Sequence, residues 1–122
     1  MPRMEIVERR VGDVTVLTLV GRLVLEEGTD PLREQINRLV QEGRIDVVLD
    51  LHGITYMDSS GVGTVVAKFL SLRRRGGDLK LVHPSDRSEH VLEITGLLPI
   101  FKPFASVDAA VRSLATEHGL SV

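Results

Sequence analysis

Ile45-Asp46-Val47-Val48-Leu49-Asp50-Leu51-His52-Gly53-Ile54-Thr55-Tyr56-Met57-Asp58-Ser59-Ser60-Gly61-Val62-Gly63 decides the fold of this chain. Five of its first seven residues are apolar, without alternation, which is the pattern of a central strand covered on both faces. The spacing then predicts a short loop and a helix start. Asp58, Ser59 and Ser60 all suit an N-cap, and two glycines open the amphipathic run that follows. Hydroxyls are thereby presented at the positive end of a helix, just past the C-terminal end of a strand. Ligands and partners of open α/β sheets meet the protein in such corners.

Upstream, Ile6 to Val11 and Val14 to Val20 read as strands around the two-residue turn Gly12-Asp13, the second ending at Gly21. Arg22 to Gly28 is expected to be a loop. Asp30-Pro31 combines a capping acid with proline at the first helical position, and Leu32, Ile36, Leu39 and Val40 share one face before Gly43. Downstream, a helix from Ser59 to Arg75 buries Val62, Val65, Val66, Phe69 and Leu72 and stops at Gly76-Gly77. Asp78 to His83 is a strand. Ser85 caps a third helix with Val91, Leu92 and Ile94 inward and Gly96 just beyond it. Ile100 to Phe104 reads as a short edge strand, its Pro103 suited to an edge. Ser106 caps a last helix with Val107, Ala110, Val111 and Leu114 on one face. Residues 119–122 read as a frayed tail. The predicted order is β-β-α-β-α-β-α-β-α, an α/β fold with a mixed, mostly parallel sheet and helices packed on it.

The 122 residues suit one domain spanning 1–122. A net charge of −2 gives no general electrostatic case for nucleic acid or an anionic membrane. Arg73-Arg74-Arg75 ends a predicted helix, where it complements the dipole. No apolar run is long enough to span a bilayer, and the N-terminus does not resemble a signal peptide. The absence of cysteine removes thiol chemistry and disulfides and fits a reducing cytosol, so a cytoplasmic location without membrane insertion is expected.

Catalysis finds little support. A serine nucleophile needs a base, and the hydrolase elbow G-x-S-x-G is missing around Ser59. His52, His83, His90 and His118 lack metal-site spacing, although His52 and His83 fall near strand ends from which either could approach Ser59. Asp50 and Asp58 would need further acids converging on them to hold Mg²⁺, and the neighbouring strands offer none. Gly61 and Gly63 are too close together for a phosphate loop and are expected to let the helix pack closely on the sheet. Neither a cofactor nor a metal is expected. What remains is a substrate role for Ser59: phosphorylation would add about −1.5 to −2 charge beside Asp58, which the helix dipole tolerates and a docked partner would not. A plain helix cap formed by Asp58, Ser59 and Ser60 fits the same residues.

The core Val47-Val48-Leu49-Asp50-Leu51 followed by Thr55-Tyr56-Met57-Asp58-Ser59-Ser60-Gly61-Val62-Gly63 resembles the STAS-domain anti-sigma factor antagonists of bacteria. Gly76-Gly77 before Leu79-Lys80-Leu81-Val82, and Ile94-Thr95-Gly96-Leu97, extend the likeness over nearly the whole chain. The resemblance implies a STAS-like fold and a binder that is not an enzyme. It implies that the unphosphorylated protein holds an anti-sigma factor with serine kinase activity and so frees a sigma factor. The kinase would phosphorylate Ser59, the complex would part, and a metal-dependent serine phosphatase would restore it. Asp58, Ser59, Ser60 and Gly61, with Arg22, Leu23 and Val24 on the loop, are the partner-facing residues so implied. One departure falls there. Relatives often carry aspartate in a G-x-[IL]-D pattern where this chain reads Gly21-Arg22-Leu23-Val24, which leaves the kinase it would suit open. The other use of such a module is a non-switching scaffold in a stressosome-like or transporter-associated complex.

Overall fold

The structure, a computed structural model, describes residues 4–117. The expectation for 119–122 and the placement of His118 fall outside them. The elements are β1 (Glu5–Val11), β2 (Val14–Leu23), α1 (Thr29–Gln41), β3 (Asp46–Met57), α2 (Ser59–Arg74), β4 (Asp78–Val82), α3 (Asp86–Ile94), α4 (Leu98–Phe101) and α5 (Val107–Glu117). The sheet runs β1-β2-β3-β4. β1 pairs antiparallel with β2, and the β2–β3 and β3–β4 pairs are parallel, which is the mixed, mostly parallel sheet expected.

Alternation along β3 sorts its side chains between two cores. Val47, Leu49 and Leu51 join Leu32, Ile36 and Leu39 of α1 and Val62, Val65 and Leu72 of α2. Val48 points the other way, into a smaller cluster with Val14, Val16, Val82 and Ala110 and Leu114 of α5. Helices thus lie on both faces, and β2, β3 and β4 each send side chains into both cores.

Several boundaries differ from the sequence reading. β2 does not end at Gly21; it continues to Leu23 through register shifts between Thr18 and Val20 and between Gly21 and Arg22, so Arg22 and Leu23 are strand rather than loop. β3 does not end at Leu51, because His52 to Met57 stay extended against the bulged end of β2. Gly53 sits where a Cβ would come 2.8 Å from the Leu19 carbonyl oxygen, a close backbone approach that only glycine permits. Asp30 is not the cap of α1. Gly28 holds that position and makes no side-chain bond there, while Asp30 lies in the first turn and pairs with Arg33 at 2.7 Å. Ile94 is 67% exposed, since it stands about 200° around the helix from buried Leu92. Ile100 to Phe104 is not a strand: Pro99 lies in the first turn of α4, and Lys102, at φ 44°, ends that turn. Only Phe104 reaches the sheet edge, as a single bridge to Val82. Phe101 is buried and meets Phe69 edge to face, the ring centroids 5.1 Å apart.

Other calls hold. Gly43, Gly76 and Gly96 adopt positive φ where their helices end. The Ser85 and Ser106 hydroxyl oxygens accept from the amides of Ser88 and Ala109, at 3.2 and 3.0 Å. Arg73 and Arg74 occupy the last turn of α2, and Arg73 pairs with Asp78 at 3.1 Å.

Candidate functional site

The C-terminal ends of β2 and β3 meet the N-terminus of α2. Asp58 is the N-cap, in extended conformation, and its carboxylate makes two bonds. Oδ1 accepts from the Gly61 amide at 2.9 Å, and Oδ2 accepts from the Leu25 amide at 3.1 Å. One side chain therefore closes the helix and ties the β2–α1 loop to it. The Asp58 amide in turn donates to the Leu23 carbonyl at 3.3 Å. Gly61 lies against that strand end: a Cβ there would fall 2.3 Å from the Leu23 carbonyl oxygen and 3.0 Å from side-chain carbons of Leu23 and Met57. Close packing is thus confirmed for Gly61. Gly63 is exposed with nothing within 4 Å of a built Cβ, so the same expectation fails there.

With the cap made by Asp58, the Ser59 hydroxyl is not needed for it. Ser59 is exposed at the first position of α2 and makes no side-chain hydrogen bond among the described residues. Ser60 is half-buried beside it. On the loop, Arg22 and Val24 are half-buried, and the Val24 carbonyl accepts from the amides of Gly28 and Thr29 at 2.9 and 3.1 Å. Leu23 and Gly61 are buried and can serve a surface only from beneath. Leu25, 60% exposed, and the exposed Glu26 and Glu27 complete the rim.

The catalytic candidates do not converge. His52 and His83 meet each other, ring centroids 6.2 Å apart, and neither hydrogen-bonds Ser59. Asp50 Oδ1 accepts from the His52 amide at 3.1 Å, whereas Asp58 is engaged by Gly61 and Leu25. Among the described residues no group of three or more His, Asp or Glu side chains is placed to hold a metal ion. No described helix is long and apolar enough to cross a membrane.

The sequence motif does not mark Tyr56 or Arg87 as site residues. Tyr56 is 40% exposed, and two guanidiniums lie against its ring: that of Arg22, its register partner on β2, at 5.6 Å from the centroid, and that of Arg87, from the first turn of α3, at 5.3 Å. Arg22 comes beside Tyr56 only through the two register shifts in the β2–β3 pairing, which the sequence does not signal. Nothing in the sequence places Arg87 there.

A family model for the STAS domain matches residues 5–110, most of this architecture and all of the site. The chain belongs to the STAS-domain family. The anti-sigma-B factor antagonist of Bacillus subtilis is 36% identical over 81 residues, spanning 66% of this chain and 73% of that protein. The anti-sigma-B factor antagonist of Listeria monocytogenes is 46% identical over 63 residues, 52% of this chain and 54% of its own length. Among solved structures, the anti-sigma factor antagonist SpoIIAA in its unphosphorylated form superposes with a TM-score of 0.78 at 23% identity, covering 97% of this chain and 100% of that one. The phosphorylated form of the Bacillus protein gives 0.70 at 24% identity, covering 89% and 99%. At that identity the two structures establish that the STAS fold is shared.

Proposed function

We propose that this STAS domain is an anti-sigma factor antagonist, acting by binding rather than by catalysis. Its unphosphorylated form holds an anti-sigma factor through the surface around Asp58, Ser59 and Ser60 and the adjoining residues Arg22 and Val24, over a floor of Leu23 and Gly61. Phosphorylation of Ser59 by that partner, a serine kinase, ends the complex, and a metal-dependent serine phosphatase reverses it. The observation that carries this reading is the division of labour at the start of α2. Asp58 makes the cap, and the adjacent Ser59 hydroxyl is exposed and makes no side-chain hydrogen bond among the described residues. A phosphate on Ser59 would be a dianion at a helix N-terminus, a position the dipole favours. The domain would therefore stay folded while its docking face gained charge and bulk. The Bacillus relatives named above, one antagonist of which is known in both phosphorylation states, support the assignment.

The test is affinity capture from the native lysate with wild type, Ser59→Ala and Ser59→Asp as baits, followed by incubation of the captured material with MgATP. Wild type and Ser59→Ala should retain a serine kinase of the anti-sigma type. Ser59→Asp should not, and only wild type should be phosphorylated. Equal capture of one partner by all three baits would favour a non-switching scaffold instead.

A further inference from the structure

Three residues before Ser59 in the chain stands the exposed Tyr56 ring, with the guanidiniums of Arg22 and Arg87 against it. The three residues come from three elements, β2, β3 and α3, so the arrangement is built by the tertiary fold and not by local sequence. Among the described residues neither guanidinium has an ion-pair or hydrogen-bond partner, whereas those of Arg10, Arg33, Arg38 and Arg73 are all paired with carboxylates. Contact with an aromatic ring engages the face of a guanidinium and leaves its N–H edge free. That edge matches a carboxylate with two parallel hydrogen bonds. Holding the side chain against the ring also removes part of the rotamer entropy that an arginine loses on binding. Tyr and Arg are the residue types that dominate binding energy at protein interfaces.

We propose that Arg22, Tyr56 and Arg87 form a carboxylate clamp that receives an acidic segment of the protein partner, alongside the Ser59 contact. The clamp fixes the orientation of docking. Partner carboxylates meet Arg22 and Arg87, and the side of the partner over the β2–α1 loop faces Glu26 and Glu27. The inference rests on the partner-binding reading above for the identity of its occupant, and its chemistry is tested separately.

Tyr56 is the single tyrosine of a chain without tryptophan, so intrinsic fluorescence reports directly on the clamp. Hexaglutamate titrated into the full chain at low salt should change that fluorescence saturably, and hexalysine should not. Arg22→Gln and Arg87→Gln should each weaken the apparent affinity by about tenfold, the loss expected of an interface arginine. Arg22→Lys, which keeps charge but loses the planar fork, should recover only part of it. An unchanged signal with hexaglutamate, or wild-type affinity in both glutamine variants, overturns the clamp. Tighter binding of an oligothymidylate than of hexaglutamate overturns it in favour of nucleic acid. With the captured kinase as probe, Arg87→Gln, which lies outside the surface assigned to the switch, should weaken binding. Hexaglutamate binding without any captured kinase would sink the antagonist reading and leave the clamp. A working kinase switch with no effect of Arg87→Gln would do the reverse.

Discussion

Replacing Asp58 by alanine removes two acceptors at once, and their contributions can be worked separately. The bond from Oδ1 to the Gly61 amide is an N-cap interaction, whose loss costs about 1 kcal/mol. The bond from Oδ2 to the Leu25 amide is charge-assisted but at an exposed amide, so water replaces it in part and the loss is about 0.5–1 kcal/mol. Asp58→Ala should therefore destabilise the domain by about 2 kcal/mol. Asp58→Asn separates the two terms. An asparagine caps a helix as well as an aspartate does, but its second polar atom is an amide nitrogen, which cannot accept from Leu25. It should cost about 1 kcal/mol, intermediate between wild type and alanine. Urea unfolding followed by far-ultraviolet circular dichroism reads both values, with an unchanged denaturant slope if the native and unfolded states keep their compactness. An alanine variant within about 0.5 kcal/mol of wild type would refute the claim that this carboxylate joins the loop to the helix.

Three further outcomes follow from the same structure. Gly61→Ala and Gly63→Ala should act in opposite directions: the first loses about 2 kcal/mol or more, because its methyl meets the Leu23 carbonyl, and the second gains up to about 1 kcal/mol from helix propensity, which a pair of thermal melts would read. Ser59→Asp should unfold within about 0.5 kcal/mol of wild type, since its side chain is exposed and uninvolved in the cap; a loss of cooperative unfolding would make Ser59 structural. Glu8 gives a pH signature. Burial would raise its carboxyl, but hydrogen bonds from Arg38 and Gln35 and the charges of Arg38 and Arg10 outweigh this and hold it below its ordinary 4.5. A folded value below the unfolded one means stability that is complete above the ordinary range and lost as pH falls through the folded value. The stability gap between wild type and Glu8→Gln should accordingly be widest near neutrality and close in acid; a gap constant with pH would exclude the linkage.

The helix start at Asp58 was legible because capping, glycine and apolar period coincide within a few residues. So was the hairpin at Gly12, where φ is 61°. What the sequence concealed was long-range. The register shifts that carry β2 on to Leu23 have no local signature, and Gly21 and Gly53 look like strand ends until the two backbones are seen against each other. Ile100 to Phe104 has the apolar content of a strand, but Pro99 starts a helical turn and Phe101 finds its place against Phe69. Val24 stands in the rim where the family pattern has an acid, and the exposed Glu26 and Glu27 follow close behind it. The contact of Arg87 with Tyr56 joins residues 31 positions apart, which periodicity cannot register.

β3 continues seven residues past Asp50, its last pairing with β4. Its first half is bonded on both sides and its second half only to β2. Amide exchange should follow that division, with Val47 to Leu49 opening only in global unfolding and Ile54 to Met57 in smaller fluctuations. The outer half is thereby a cantilever: Ile54 and Met57 root it in the main core, while the exposed Thr55 and Tyr56 between them can be exchanged without touching the buried run Val47 to Leu49.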